Sequence, residues 1–179
     1  ARRQRQMCIR DRHKIYRAKD LVVVEERYNQ WADTYERDIN NEYGWPSPSL
    51  MAKICLRYIP LHGTILDAGA GTGLLGQALS KVGFDDIVGI DLSSQMLAQA
   101  RQKRVYKSLR KMNMGTPLDF SDAIFDAVTS VGALTISHAP ASALDELTRV
   151  TKPNGYIMYT IRPDFYVYGC LLYTSAAAD

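Results

Sequence analysis

The stretch Ile65–Val82, ILDAGAGTGLLGQALSKV, constrains the fold more than any other part of the chain. An apolar run ends in Asp67. Glycines follow at 69, 71 and 73, and then Leu74, Leu75, Ala78, Leu79 and Val82 recur at helical spacing. This is the pattern of a buried strand, a tight glycine turn and an amphipathic helix. Small residues at such a turn let a ligand approach the backbone at the N-terminal end of a helix. A second strand-like run, DIVGID, ends in Asp91, 18 residues after Gly73. A carboxylate in that place can accept both hydroxyls of a ribose. The alternative is that the glycines form only a tight turn and Asp91 caps the next helix.

The remaining chain repeats the alternation. SSQMLAQARQK reads as a helix with Ser93 or Ser94 as N-cap, VYKSLRKMN as a weak strand and FDAVTSVGAL as a strong one. APASALDELTRVT reads as a helix started by Pro140, and NGYIMYTIR as a strand after a turn at Pro153-Asn154-Gly155. Strands alternating with helices predict an α/β fold: a doubly wound, mainly parallel sheet covered on both faces. Ahead of it, Val24, Tyr28, Trp31, Tyr35 and Ile39 predict one amphipathic helix over 20–39. After the break at YGWPSPS, Ser47 and Pro48 predict the start of a second helix, with Leu50, Met51, Ile54 and Tyr58 on its buried face. No internal repeat or low-complexity segment is evident.

At 179 residues the chain has room for one ordinary domain, and no apolar run reaches the roughly 18 residues that span a bilayer. Five arginines fall among the first twelve residues, which would suggest a phosphate-gripping arm. However, Arg2–Arg12 match the one-frame translation of a common transposase-type sequencing adapter. Cys170–Asp179 match the translation of its reverse complement at all but one position. Residues 1–12 and 170–179 are therefore expected to be adapter-derived tails. The gene-derived domain is then 13–169, made of leading helices (13–60) and a ligand-binding core (61–169). Setting the tails aside takes the formal charge from +3 to 0 and leaves Cys55 as the one cysteine. The expectation is a reduced, cytoplasmic setting, with no disulfide framework, metal site, membrane or nucleic-acid partner. Lys103, Arg104, Lys107, Arg110 and Lys111 read as a solvated helix end and strand edge rather than a nucleic-acid patch.

The glycine spacing is D-x-G-x-G-x-G, whereas dinucleotide sites favour G-x-G-x-x-G. Asp67 beside the loop would repel a pyrophosphate but suits a ligand with an ammonium group. S-adenosylmethionine carries such a group and a ribose. With YNQWADTYERDI, ILDAGAGTGLLGQAL, GIDLSSQMLAQARQK, FDAVTSVGALT and LDELTRVTKPNGYIMYTIR in that order, the chain resembles the class I S-adenosylmethionine-dependent methyltransferases of the type 11/25 kind. Within them it is most like the methyltransferase-like group named for the Williams-Beuren syndrome region. The resemblance covers most of 28–162.

The resemblance implies a Rossmann-like sheet of seven strands, of which the chain holds about five, truncated at the C-terminal side. It implies S-adenosylmethionine as cofactor, with Asp67, Gly69, Gly71 and Gly73 at the methionine portion and Asp91 at the ribose. Leu92 and Met96 would lie on the adenine side. Asn113 and Met114 stand where the family often has an acid for the adenine amino group, and Ser130 and Val131 would lie beneath the cofactor. Trp31 and Tyr35 resemble aromatic residues of a lid helix, or are ordinary helix packing. His138 is a candidate general base, and Cys55 is expected to be a packing residue. The implied reaction is methyl transfer to a small or medium-sized acceptor, the acceptor and oligomeric state being unspecified. The alternatives are a nicotinamide-dependent oxidoreductase and a non-catalytic cofactor-binding fragment.

Overall fold

A computed structural model describes residues 20–134 and 142–161. The elements are α1 (Leu21–Trp31), α2 (Tyr35–Tyr43), α3 (Ser47–Tyr58), β1 (Ile65–Ala68), α4 (Leu74–Lys81), β2 (Ile87–Asp91), α5 (Ser94–Gln102), β3 (Ser108–Lys111), β4 (Phe125–Ser130), α6 (Ala143–Val150) and β5 (Thr151–Tyr159). The five strands form one sheet in the order β3-β2-β1-β4-β5, every pair parallel. The predicted doubly wound α/β fold is therefore observed. Both adapter-like ends and His138 lie outside the described residues.

Parallel strands buried on both faces need apolar side chains on both, and the sequence supplies them. Ile65, Ile87 and Ala127 pack with Met51, Cys55, Leu75 and Leu79 of α3 and α4 on one face. Leu66, Ile90, Phe125 and Val128 pack with Leu147 and Val150 of α6 on the other. Beyond this second face, Arg149 of α6 binds Glu146 and Asp122 and donates to the carbonyls of Leu118 and Phe120. That cluster fastens the segment entering β4. The Arg149 guanidinium, with the Leu118 N–H, holds the Glu146 carboxyl down at about 2.

Strand order reverses between β1 and β4, whose outgoing loops diverge and open a crevice at the carboxyl edge of the sheet. The approach there is close. A Cβ on Gly69, after β1, would overlap that of Ala133, after β4.

Four sequence expectations need correction. The single leading helix is two, broken at Ala32-Asp33-Thr34. Asp33 and Thr34 are weak helix formers there, and both side chains bond elsewhere, Asp33 to Gln99 and Thr34 to Asp38. Helix α3 takes Pro46 as N-cap and buries Pro48, Met51, Ala52 and Cys55. Leu50, Ile54 and Tyr58 are exposed instead, because the small Ala52 and Cys55 let the helix lie close against α4 and the sheet. Helix α6 begins at Ala143, after Ser142, while Pro140 lies outside the described residues. Strand β5 begins at Thr151, before the Pro153-Asn154-Gly155 turn, which becomes an irregularity in the pairing with β4.

Candidate cofactor site

The crevice is a cleft open to solvent. Its floor comes from the turn after β1, its sides from the ends of β2, β3 and β4, and its roof from α1 and α2. Of the residues named from the sequence, Gly69, Gly71, Asp91, Leu92, Met96, Asn113, Met114, Val131 and Tyr35 line it. Asp67, Gly73, Ser130 and Trp31 do not.

The glycine turn has the conformation its composition requires. Gly69 and Gly71 both have positive φ, +82° and +54°. A Cβ on Gly71 would meet nothing within 4 Å, so at this point the backbone itself is the cleft wall. The amides of Gly69 and Ala70 both donate to the Ile90 carbonyl, each at 2.9 Å. The Gly71 amide donates to Asp91 Oδ2 at 2.8 Å.

Asp91 is braced at both oxygens. Its Oδ1 accepts from the Ser93 amide, also at 2.8 Å. Burial pushes its carboxyl above the ordinary aspartate value, against the opposing pull of the Ser93, Gly71 and Leu92 amides. Asp91 is the only carboxylate among the described lining residues, and no lysine, arginine or histidine is among them. The rest of the lining is largely apolar, with Met96, Met112 and Met114 giving an adaptable, polarisable wall.

Asn113 faces the cleft, but its Oδ1 accepts from the Gly115 amide at 2.8 Å, which commits that oxygen to a local turn. Ser130 is fully buried at the end of β4, and its hydroxyl has no hydrogen-bond partner. Asp67 is buried behind the turn, where the Tyr106 hydroxyl donates to its Oδ2 at 2.7 Å. Cys55 is buried, and burial together with the Asp67 carboxyl pushes its thiol up to about 12. As expected, it packs.

Trp31 acts behind the roof. Its ring lies 4.8 Å edge-on from Tyr35 and 6.2 Å from Tyr28, and its Nε1 donates to Asp38. Burial opposes ionisation of Asp38, but hydrogen bonds from Trp31 and Thr34 and the Arg37 guanidinium outweigh it and hold the carboxyl below its usual value.

Val24, Tyr28, Met112, Gly132 and Ala133 also line the cleft and were not singled out for it. Val24 and Tyr28 belong to the apolar stripe of the leading helix, a pattern that core packing produces equally well. Gly132 and Ala133 carried no signal in the sequence.

A seam ties the roof to the core. Lys111 binds Glu25 at 2.6 Å. Asn29 Oδ1 accepts from the Ser93 hydroxyl at 2.7 Å and the Gln95 amide at 3.2 Å. Gln99 donates to Asp33 and Lys103 binds Glu36. Every acceptor is on the leading segment and every donor on α5, its two caps or β3. The same seam neutralises part of the basic cluster. Lys107 pairs with Asp86, and Arg110 lies near Asp119.

Among the described residues no group of three metal-ligating side chains occurs, and no helix is long and apolar enough to cross a membrane. A methyltransferase domain family model matches residues 66–159. The chain is 35% identical over 147 residues to human methyltransferase-like protein 27, covering 80% of this chain and 59% of that one. It is 30% identical over 146 residues to phosphatidylethanolamine N-methyltransferase of Cereibacter sphaeroides, with 78% and 68% covered. Among solved structures, an S-adenosylmethionine-dependent methyltransferase of Thermotoga maritima superposes with a TM-score of 0.60 at 26% identity, over 75% of this chain and 59% of that one. The chain thus spans about three-fifths of the human relative's length. The glycine turn and Asp91 fall inside the matched segment, and the chain belongs to the class I S-adenosylmethionine-dependent methyltransferases.

Proposed function

We propose that the cleft binds S-adenosylmethionine and presents its methyl group to a small or medium-sized acceptor. The observation that carries this reading is Asp91: one carboxylate, held at both oxygens by the Gly71 and Ser93 amides, in an otherwise apolar cleft at the switch point. Braced this way, it keeps lone pairs in a fixed direction for a diol. Its charge also favours a ligand of net positive charge.

The turn fits the cofactor as well. Gly71 leaves its backbone open to close approach, so Gly69 and Gly71 would hold the methionine portion. Leu92, Met96, Met112, Asn113 and Met114 would enclose the adenine side. When bound, the cofactor supplies a methyl group already activated on a sulfonium. What remains for the protein is to align the acceptor and exclude water, which is catalysis by positioning. Tyr28 and Tyr35 in the roof would provide that cover, beside Gly132 and Ala133 where the acceptor would enter. Nothing in this scheme needs a triad.

The turn disfavours the oxidoreductase alternative. The Gly69, Ala70 and Gly71 amides, which a pyrophosphate would need, are already bound to Ile90 and Asp91.

Isothermal titration with S-adenosylhomocysteine tests the reading. The wild-type chain should bind in the micromolar range, and Asp91→Ala should weaken binding about tenfold or more, the scale of one hydrogen bond to a charged group. Equal affinity in the two folded proteins would reject the assignment of Asp91. Heat that appears only with a reduced nicotinamide dinucleotide would favour the oxidoreductase.

A further inference from the structure

Two glycines outside the turn lack a local explanation. Gly76 lies inside α4 and Gly89 inside β2, and glycine weakens both kinds of element. Both face one ring. A Cβ on Gly76 would overlap the Tyr106 ring and hydroxyl, and one on Gly89 would overlap the Leu109 side chain and stand 3.0 Å from that ring. Gly73 is the third wall of the seat, at 3.1 Å.

The hydroxyl seated there makes two bonds. It donates to Asp67 Oδ2 at 2.7 Å and accepts from the Gly76 amide at 3.1 Å. That amide belongs to the first turn of α4, where backbone donors lack helical partners. The N-cap of α4 is Gly73, which has no side chain to satisfy them. Tyr106, from the segment between α5 and β3, does so instead. Asp67 is the last polar residue before the turn and Gly76 the first amide so bound after it.

We infer that Tyr106 is the positioning residue of the glycine turn: its hydroxyl clamps the two ends of the turn together and so holds Gly69 and Gly71 where the cofactor's methionine portion meets them. This rests on the cofactor reading above. Asp67 then acts through the turn, from behind it, rather than by touching the ligand. The groups that face its carboxyl are the Tyr106 hydroxyl, the Gly76 amide, the Asp91 carboxylate and the Cys55 thiol. Burial, with the Asp91 charge, pushes it up to about 7, while the Tyr106 hydrogen bond pulls it down.

The test compares S-adenosylhomocysteine binding by the wild-type chain and Tyr106→Phe between pH 5 and 9. The variant keeps the ring in its glycine seat and removes only the clamp. Its Kd at pH 8 should rise about tenfold. The ligand's ammonium favours an ionised Asp67, so affinity should fall on acidification through about 7 in the wild type, and at a higher pH in the variant. A simple loss of packing would weaken binding without moving that inflection. If the variant does not fold, hydrogen exchange on the wild type decides: ligand should slow the Gly76 amide together with those of Gly69 to Gly71. Exchange at Gly76 that ignores the ligand, or an unchanged Kd and pH profile in Tyr106→Phe, overturns the inference while leaving the cofactor reading intact. Failure of the wild type itself to bind removes both.

Discussion

The two halves of the cleft are held by different forces. The floor and sides belong to an α/β core in which Ile65, Leu79, Ile87 and Leu147 are wholly buried. In the roof, α1, α2 and the break between them, the buried apolar side chains among the described ones are Val24, Ala32 and Ile39. It is fastened at its edge by the seam from Glu25 to Glu36, five polar contacts with acceptors on one side and donors on the other. Close packing is cooperative and indifferent to salt. Hydrogen bonds and ion pairs near the surface are individually weak, directional and screened. A floor built the first way is expected to keep the turn and Asp91 fixed, while a roof held the second way is expected to open at lower cost than the core.

This contrast can be broken from either side. The largest effect is expected in the core. Leu79→Ala, at a fully buried position between α4 and the sheet, should lower the free energy of unfolding by about 3 kcal/mol. Denaturant titration should show one transition at a lower midpoint. A change below about 1 kcal/mol would mean that this face is not close-packed.

A smaller effect is expected from Asn29→Ala, which removes the acceptor shared by the Ser93 hydroxyl and the Gln95 amide. The global cost should be about 1 kcal/mol. The informative readout is local. Amide exchange in α1 should quicken while that of β1 stays as slow as in the wild type. Equal acceleration in both would show that roof and floor open as one unit.

The smallest effect belongs to the outer ion pair. Lys111 is half exposed where it meets Glu25, so Glu25→Gln should cost no more than about 0.5 kcal/mol. Raising salt should erase the difference between variant and wild type. A cost that persists in high salt would point to packing of the Glu25 stem instead of charge.

Trp31 and Tyr35 show where sequence reading stops. Spacing places both on the inward side of the leading segment. Only Tyr35 reaches the cleft, because the break at Ala32–Thr34 turns α2 relative to α1, and Trp31 is left as a support bonded to Asp38. Asp67 and Asp91 make the same point. Both are acids at the ends of adjacent parallel strands, yet one is captured from behind by Tyr106 and the other lines the cleft.

Features that depend on near neighbours are legible in the chain itself: the alternation of strands and helices, the glycine turn, the Ser93 cap and the position of Asp91 at a strand end. Hydrophobic period and turn chemistry act within a few residues, so they are legible without coordinates. Tertiary structure decided the rest. The buried face of α3 depends on which residues allow close approach to α4. The direction in which Asp67 points depends on a tyrosine 39 residues away, and the closure of the roof on a lysine 86 residues from its partner. No local pattern records such meetings, because they exist only once the sheet has brought the segments together.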